Sequence, residues 1–103
     1  MICVKKINEI EHFKKIRNTI QFLTFISNKH PLYNYITHLM KYILDKHRKY
    51  NIIAKMYDPS NNLVNKFNIY SFPSSLILKN DQYIIYNGTD INHIEKCLNE
   101  FIN

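Results

Sequence analysis

The segment from Lys66 to Asp81 constrains the fold of this chain more than any other. It contains the end of a helical pattern, a short polar turn, Pro73, and then the apolar run 74–78, which is stopped by Asn80 and Asp81. An apolar run bounded by turn residues is typical of a buried strand. Proline cannot donate a hydrogen bond to a sheet ladder, so it fits just before that strand and not within it. The segment therefore predicts a helix, a proline loop and a buried strand in immediate succession.

The size and composition of the chain predict a single compact domain. A chain of 103 residues supports one hydrophobic core and is too short for two, so one domain spanning 1–103 is expected. Its one glycine argues against a glycine-rich, phosphate-binding loop. No apolar stretch reaches the roughly 18 residues that a membrane span needs, and no signal peptide is evident. We therefore expect a cytoplasmic protein that makes no contact with a membrane.

The positive charge of the chain raises the question of nucleic-acid binding. The net charge is +6, but the lysines are spread along the whole sequence. Ile, Asn, Lys and Tyr make up about half of the chain, which is the composition of proteins from AT-rich genomes. The densest basic stretches, Lys14–Arg17 and Lys46–Lys49, fall on the solvent side or at the end of predicted helices. A solvated surface is the favoured interpretation, and a basic domain that associates with nucleic acid stays as an alternative.

The two cysteines suggest neither a disulfide nor a metal site. Cys3 and Cys97 lie at opposite ends of the chain, and neither belongs to a metal-ligand pattern with histidine. Cys97 shares a predicted helix face with apolar residues, which indicates a small core side chain. His30 and His38 are eight residues apart, about 12 Å along a helix axis, so they cannot share a metal ion. We expect no metal and no cofactor.

Hydrophobic periodicity predicts the order strand, helix, strand, helix, strand, helix, strand, strand, helix. The alternating first half implies parallel strands joined by right-handed crossovers, and the final pair implies an antiparallel hairpin. The predicted strands are 2–7, 21–26, 51–57, 74–78 and 82–86. The predicted helices begin after a capping box at Asn8 and Glu11, at Pro31, at Asp58–Ser60 and after a cap at Asp90; the second runs to about Lys49.

This order, with four local features, resembles the thioredoxin superfamily over nearly the whole chain. Phe25 ends the central strand before the site turn, and Ala54–Asp58 resembles the third strand with its acidic residue. Residues 66–74 resemble the approach to the family's cis-proline, here Pro73, and Gly88 resembles the glycine before the last helix. The resemblance implies an α/β, thioredoxin-like three-layer sandwich, in which helices flank a mixed parallel and antiparallel central sheet.

The chemical groups of the family are replaced in this sequence. His30-Pro31-Leu32-Tyr33 stands where a thioredoxin has Cys-x-x-Cys, and neither His30 nor Tyr33 can exchange a disulfide. Thr24 matches the family's buried acid, and Ile26 replaces the aromatic residue that shields its site. Dithiol–disulfide oxidoreductase activity is therefore not expected, and no catalytic residue is assigned. A neutral His30 that shuttles protons with Tyr33 would be an altered enzymatic activity, and this stays as an alternative to simple capping and packing.

The remaining function that the resemblance implies is protein binding. In the family, the residue before the cis-proline makes backbone hydrogen bonds to an extended peptide, a form of strand addition that needs no cysteine. The leading hypothesis is a redox-inactive binding module whose partner is a protein or extended peptide. It requires Phe72 to be exposed, whereas Phe72 packed inward is the alternative. The residues expected to line the partner surface are Ile26, His30, Pro31, Tyr33, Tyr70, Phe72 and Pro73.

Overall fold

The computed structural model describes residues 2–7 and 18–102. Within these residues the chain forms five strands and three helices. The strands are β1 (Lys5–Lys6), β2 (Ile20–Phe25), β3 (Ile52–Tyr57), β4 (Ser74–Lys79) and β5 (Gln82–Asn87). The helices are α1 (Tyr33–Lys46), α2 (Asn62–Lys66) and α3 (Ile91–Ile102). The predicted capping box at Asn8 and Glu11, its helix and the basic stretch Lys14–Arg17 lie outside the described residues.

The strands form one mixed sheet in the order β1-β5-β4-β2-β3. β2 and β3 are parallel, as the crossover through α1 requires, whereas β4 is antiparallel to both β2 and β5. The expectation of a parallel first strand is wrong, because β1 pairs antiparallel with β5 at the edge of the sheet. Both residues of β1 are exposed lysines, so no apolar pattern holds this segment against a central strand.

Helices cover both faces of the sheet, and each face has its own core. Side chains alternate across a strand, so even- and odd-numbered residues of β2 point to opposite faces. Ile20 and Phe22 pack under α1 and α3, together with Ile77 of β4. Leu23 and Phe25 join the second core, which α2 contributes to. The sheet is thus buried on both sides, as the apolar runs of β2 and β4 predict.

The helix starts show where local signals suffice and where they do not. The predicted cap at Asp90 is confirmed, since its Oδ1 accepts a 2.9 Å hydrogen bond from the N–H of Asn92. The helix predicted to start at Pro31 is α1, and it begins two residues later, at Tyr33. The helix predicted to start at Asp58–Ser60 is α2, and it begins after Asn61, whose Oδ1 accepts a hydrogen bond from the N–H of Leu63. No helix among residues 2–7 and 18–102 is long and apolar enough to span a membrane.

Candidate functional site

The turn between β2 and α1 is held by hydrogen bonds around His30. The backbone N–H of His30 donates to the carbonyl of Ser27 at 3.0 Å, and the N–H of Tyr33 donates to the carbonyl of His30 at 3.0 Å. The Nδ1 of His30 accepts a 3.0 Å hydrogen bond from the N–H of Leu32. This bond satisfies the backbone donor of Leu32, the N-cap residue of α1. The side chain of Leu32 itself makes no capping hydrogen bond. His30 therefore stabilises the helix start through the ring nitrogen that faces the backbone.

Tyr33, the first residue of α1, is half-buried and packs against the core under α1 and α3. His30 thus hydrogen-bonds the backbone at the start of α1, and Tyr33 packs against the core. Pro31 and Leu32, between them, are exposed on the turn.

The proline loop lies beside this turn at the same end of the sheet. The antiparallel register pairs Phe25 with Ser74, so the next residues along the ladder, Ile26 and Pro73, are neighbours. The Phe72–Pro73 peptide bond is cis. The carbonyl of Pro73 accepts hydrogen bonds from the N–H of Gly88 at 3.1 Å and from Nδ2 of Asn87 at 3.2 Å. These bonds tie the loop to the end of β5.

Two aromatic side chains of the loop face solvent. Tyr70 is 85% exposed and Phe72 is 36% exposed, which makes them members of a small group of large exposed apolar side chains. Leu32, on the neighbouring turn, is exposed to a similar extent as Phe72. Of the seven residues predicted for the partner surface, Tyr70, Phe72, Pro73, His30 and Pro31 are at least partly exposed, and Tyr33 is half-buried. Ile26 is buried, so it can only support this surface from beneath.

A cavity of about 180 Å³ opens at the carboxyl ends of β2 and β3. Its lining consists of two residues predicted for the partner surface, Ile26 and Tyr33, and four that were not predicted for it, Asn28, Met56, Tyr57 and Asp58. The N–H of Ile26 donates to the carbonyl of Tyr57 at 2.9 Å, which closes the gap between the two strand ends. In open α/β sheets, ligands bind beyond the carboxyl ends of parallel strands, and this rule is the signal that could have found the cavity.

Asp58 is the charged residue of the cavity lining. Its Oδ2 accepts a 2.9 Å hydrogen bond from the N–H of Ser60. Hydrogen bonds from the hydroxyl and the backbone of Ser60 hold the pKa of Asp58 below its ordinary value. The carboxylate is therefore ionised at neutral pH, at the exposed end of the cavity.

Neither described cysteine belongs to the turn before α1 or to the lining of the cavity. Both cysteines are free: Cys3 is exposed and precedes β1 at the far edge of the sheet, whereas Cys97 is buried in α3. Burial raises the pKa of the Cys97 thiol to about 11, so it carries almost no thiolate at neutral pH. Among residues 2–7 and 18–102, no three histidine, cysteine, aspartate or glutamate side chains are grouped so that they could hold a metal ion.

No protein-family model and no curated protein sequence matches this chain. Solved structures do match it. The germline-specific thioredoxin Deadhead of Drosophila melanogaster is 14% identical, with 82% of this chain and 83% of that chain covered and a TM-score of 0.70. Thioredoxin O2 of Arabidopsis thaliana is 12% identical, with 84% and 77% covered and a TM-score of 0.68. Malaria parasite thioredoxin-2, described as a component of the protein secretion machinery, is 19% identical, with 84% and 86% covered and a TM-score of 0.68. At these identities the likeness concerns the fold, and it confirms the predicted architecture.

Proposed function

Because the chain has a thioredoxin-superfamily fold, we propose that it is a redox-inactive, protein-binding module. Its partner is a protein that presents an extended segment to the surface formed by the His30 turn and the loop 70–73, hereafter the proline groove. The observation that carries the proposal is the exposure of Tyr70 and Phe72 beside Pro73. Tyrosine is enriched among the residues that contribute most to protein–protein binding, and phenylalanine is enriched in interfaces relative to the rest of the surface.

The positions of the two cysteines support redox inactivity. Dithiol exchange needs a reactive thiolate and a second thiol within reach of it. The turn before α1 has His30 and Tyr33, and the chain's two cysteines are free and belong to different parts of the fold. With its pKa raised to about 11, the buried Cys97 is a poor nucleophile.

Backbone geometry supports binding by strand addition. The carbonyl of Pro73 accepts from Gly88 and Asn87, and the carbonyl of Ser71 accepts a 2.6 Å hydrogen bond from the hydroxyl of Ser74, so the backbone groups offered to a partner are those of the exposed Phe72. An extended segment that pairs with this backbone would contact the rings of Tyr70 and Phe72 with its own side chains. Leu32, on the adjacent turn, extends the apolar surface toward α1.

Two observations favour this function over the alternatives. The Nδ1 of His30 is engaged by the N–H of Leu32, which leaves it unsuited to accept a substrate proton. The basic stretch at the end of α1 is partly neutralised, since Lys46 forms a 2.9 Å ion pair with Glu95 and Arg48 lies 3.7 Å from Asp45. A nucleic-acid site would instead present its cations free toward the phosphates.

The test is affinity capture from the native cell extract with wild type, Phe72→Asp and Tyr42→Asp. Tyr42 is a solvent-exposed tyrosine on α1, which makes Tyr42→Asp a matched control for a charge introduced at an aromatic surface position. The captured protein is then shortened to the peptide segment that still binds, and the Kd of that peptide is measured for each variant. Loss of an aromatic hot spot costs about 2 kcal/mol, so we expect Phe72→Asp to weaken binding at least thirtyfold and Tyr42→Asp to leave it unchanged.

Equal binding by wild type and Phe72→Asp, with both proteins folded by circular dichroism, would refute the proline groove as the binding site.

An insulin-reduction assay with a dithiol thioredoxin as positive control tests the proposed redox inactivity. We expect no turnover above the rate of the reductant alone. Turnover that disappears in Cys3→Ser would refute redox inactivity.

A further inference from the structure

We propose that the cavity at the carboxyl ends of β2 and β3 binds a primary ammonium group carried on a short, unbranched alkyl arm. The cavity shares Ile26 and Tyr33 with the neighbourhood of the proline groove, but its other lining residues belong to different segments. The proposal therefore goes beyond the proposed function and does not depend on it.

The polar groups of the cavity suit a cation. Asp58 supplies an ionised carboxylate that accepts hydrogen bonds from the N–H and the hydroxyl of Ser60. Its other lone pairs remain available to a donor. Asn28 and Tyr33 also line the cavity, and their side chains carry oxygen atoms that can accept hydrogen bonds. An ammonium group has three N–H donors and no acceptor, and these three oxygen-bearing side chains match that number.

The charge of the lining excludes an anion. No lysine, arginine or histidine is among the six lining residues, although the chain as a whole has a net charge of +6. A carboxylate or phosphate in the cavity would approach Asp58 without a compensating cation, and like charges at short range repel. The local charge thus selects against the ligands that the overall charge would attract.

The apolar residues of the cavity suit an alkyl arm. Ile26 is 1% exposed and Met56 is half-buried, whereas Asn28 and Asp58 are exposed. The apolar residues Ile26 and Met56 are therefore less exposed than the polar residues Asn28 and Asp58. A volume of about 180 Å³ exceeds the ~150 Å³ of an engineered cavity that binds benzene, so an arm of about four carbons fits. Such a ligand buries its carbons and keeps its charge near water.

The same chemistry can come from a free alkylamine or from a lysine side chain of a bound peptide. The first probe is n-butylamine, compared with 1-butanol, which has nearly the same shape but no charge. Binding is followed by the amide and methyl NMR signals of Asn28, Tyr33 and Met56. A ligand with five heavy atoms reaches a Kd of about 1 mM, and we expect n-butylamine to reach it and 1-butanol to bind at least tenfold more weakly.

Asp58→Asn tests the role of the charge, because the amide keeps an oxygen that can accept from Ser60. We expect a loss of about tenfold in the affinity for n-butylamine. Asp81→Asn is the matched control, since Asp81 follows β4 at the opposite end of the sheet, and it should leave the affinity unchanged. Equal binding of the amine and the alcohol, an unchanged Kd in Asp58→Asn, or no binding at about 10 mM n-butylamine would each overturn the proposal.

A pair of short peptides identifies the source of the ammonium group. One contains lysine and the other contains norleucine at the same position. Tighter binding of the lysine peptide that is lost in Asp58→Asn assigns the cavity to a peptide side chain, whereas binding of n-butylamine alone assigns it to a small amine. Phe72→Asp separates this proposal from the proposed function, because it should abolish binding of the protein partner while n-butylamine still binds.

Discussion

A buried pair of hydroxyl groups joins the two central strands beneath the candidate site. The Oγ1 of Thr24 on β2 lies 2.9 Å from the Oγ of Ser75 on β4, and each residue is 1% exposed. Thr24→Val keeps the shape of the side chain and its preference for a strand but removes this hydroxyl. The Ser75 hydroxyl would then be buried without the partner that it has in the native protein.

The size of the effect follows from that burial. A hydroxyl that loses its partner in the core costs about 1–3 kcal/mol, whereas removal of both partners leaves no unsatisfied group. We expect Thr24→Val and Ser75→Ala each to lower the free energy of unfolding by about 1–2 kcal/mol. The double variant should lose about 1 kcal/mol, which is less than the sum, because groups in direct contact are not additive.

Equilibrium unfolding in urea, followed by circular dichroism, measures the four free energies of this cycle. In a domain of this size, 1 kcal/mol also corresponds to about 4–8 °C in Tm, so a thermal scan provides an independent check. Additive losses in the double variant would refute the reasoning, because they would mean that the two hydroxyls do not depend on each other. A Thr24→Val protein as stable as wild type would refute it as well.

Two further predictions concern other parts of the fold. Gly88 has a φ of +146°, and an added Cβ would lie 2.6 Å from the hydroxyl oxygen of Tyr86; Gly88→Ala should therefore lower the free energy of unfolding by about 1–3 kcal/mol in the same urea assay, and an unchanged midpoint would contradict it. Burial alone would raise the pKa of Glu95, but hydrogen bonds from Lys46 and His47, with their charges, lower it below its ordinary 4.5. The unfolded chain then binds more protons, so this stabilisation is present above about pH 4.5 and lost as the pH falls through the lower native pKa. Glu95→Gln should flatten the acid side of the stability profile, and a profile as steep as that of wild type would contradict the assignment.

The approximate positions of the elements follow from local patterns. The apolar runs of β2 and β4 predict strands covered on both faces, and Asp90 predicts a helix start that the structure confirms. The prediction that α1 starts at Pro31 is wrong, because a proline suits the first helical turn without requiring it. His30 ends up as the residue that satisfies the backbone there, and no local signal distinguishes a histidine that caps from one that reacts.

The lining of the cavity could not be predicted from the sequence, because its residues come together only in the folded chain. Asn28 and Asp58 are thirty positions apart, and each looks like an ordinary turn residue in the sequence. They meet because β2 and β3 are parallel and in register, so their carboxyl ends stand side by side. The exposure of Phe72 could not be predicted either. An aromatic residue beside a proline can point into the core or away from it, and the positions of the neighbouring strands determine which.

Local patterns in the sequence were enough to predict the α/β fold class, the position of the proline loop and the turn His30-Pro31-Leu32-Tyr33 before α1, because periodicity, turn chemistry and residue identity are local properties. The partner strand of β1, the residues that line the cavity and the aromatic rings that reach solvent became known from the three-dimensional structure. Periodicity tells which side of a strand is buried, but not which neighbour buries it. For β1, with two exposed lysines and no apolar face, the choice of partner depended on contacts far along the chain.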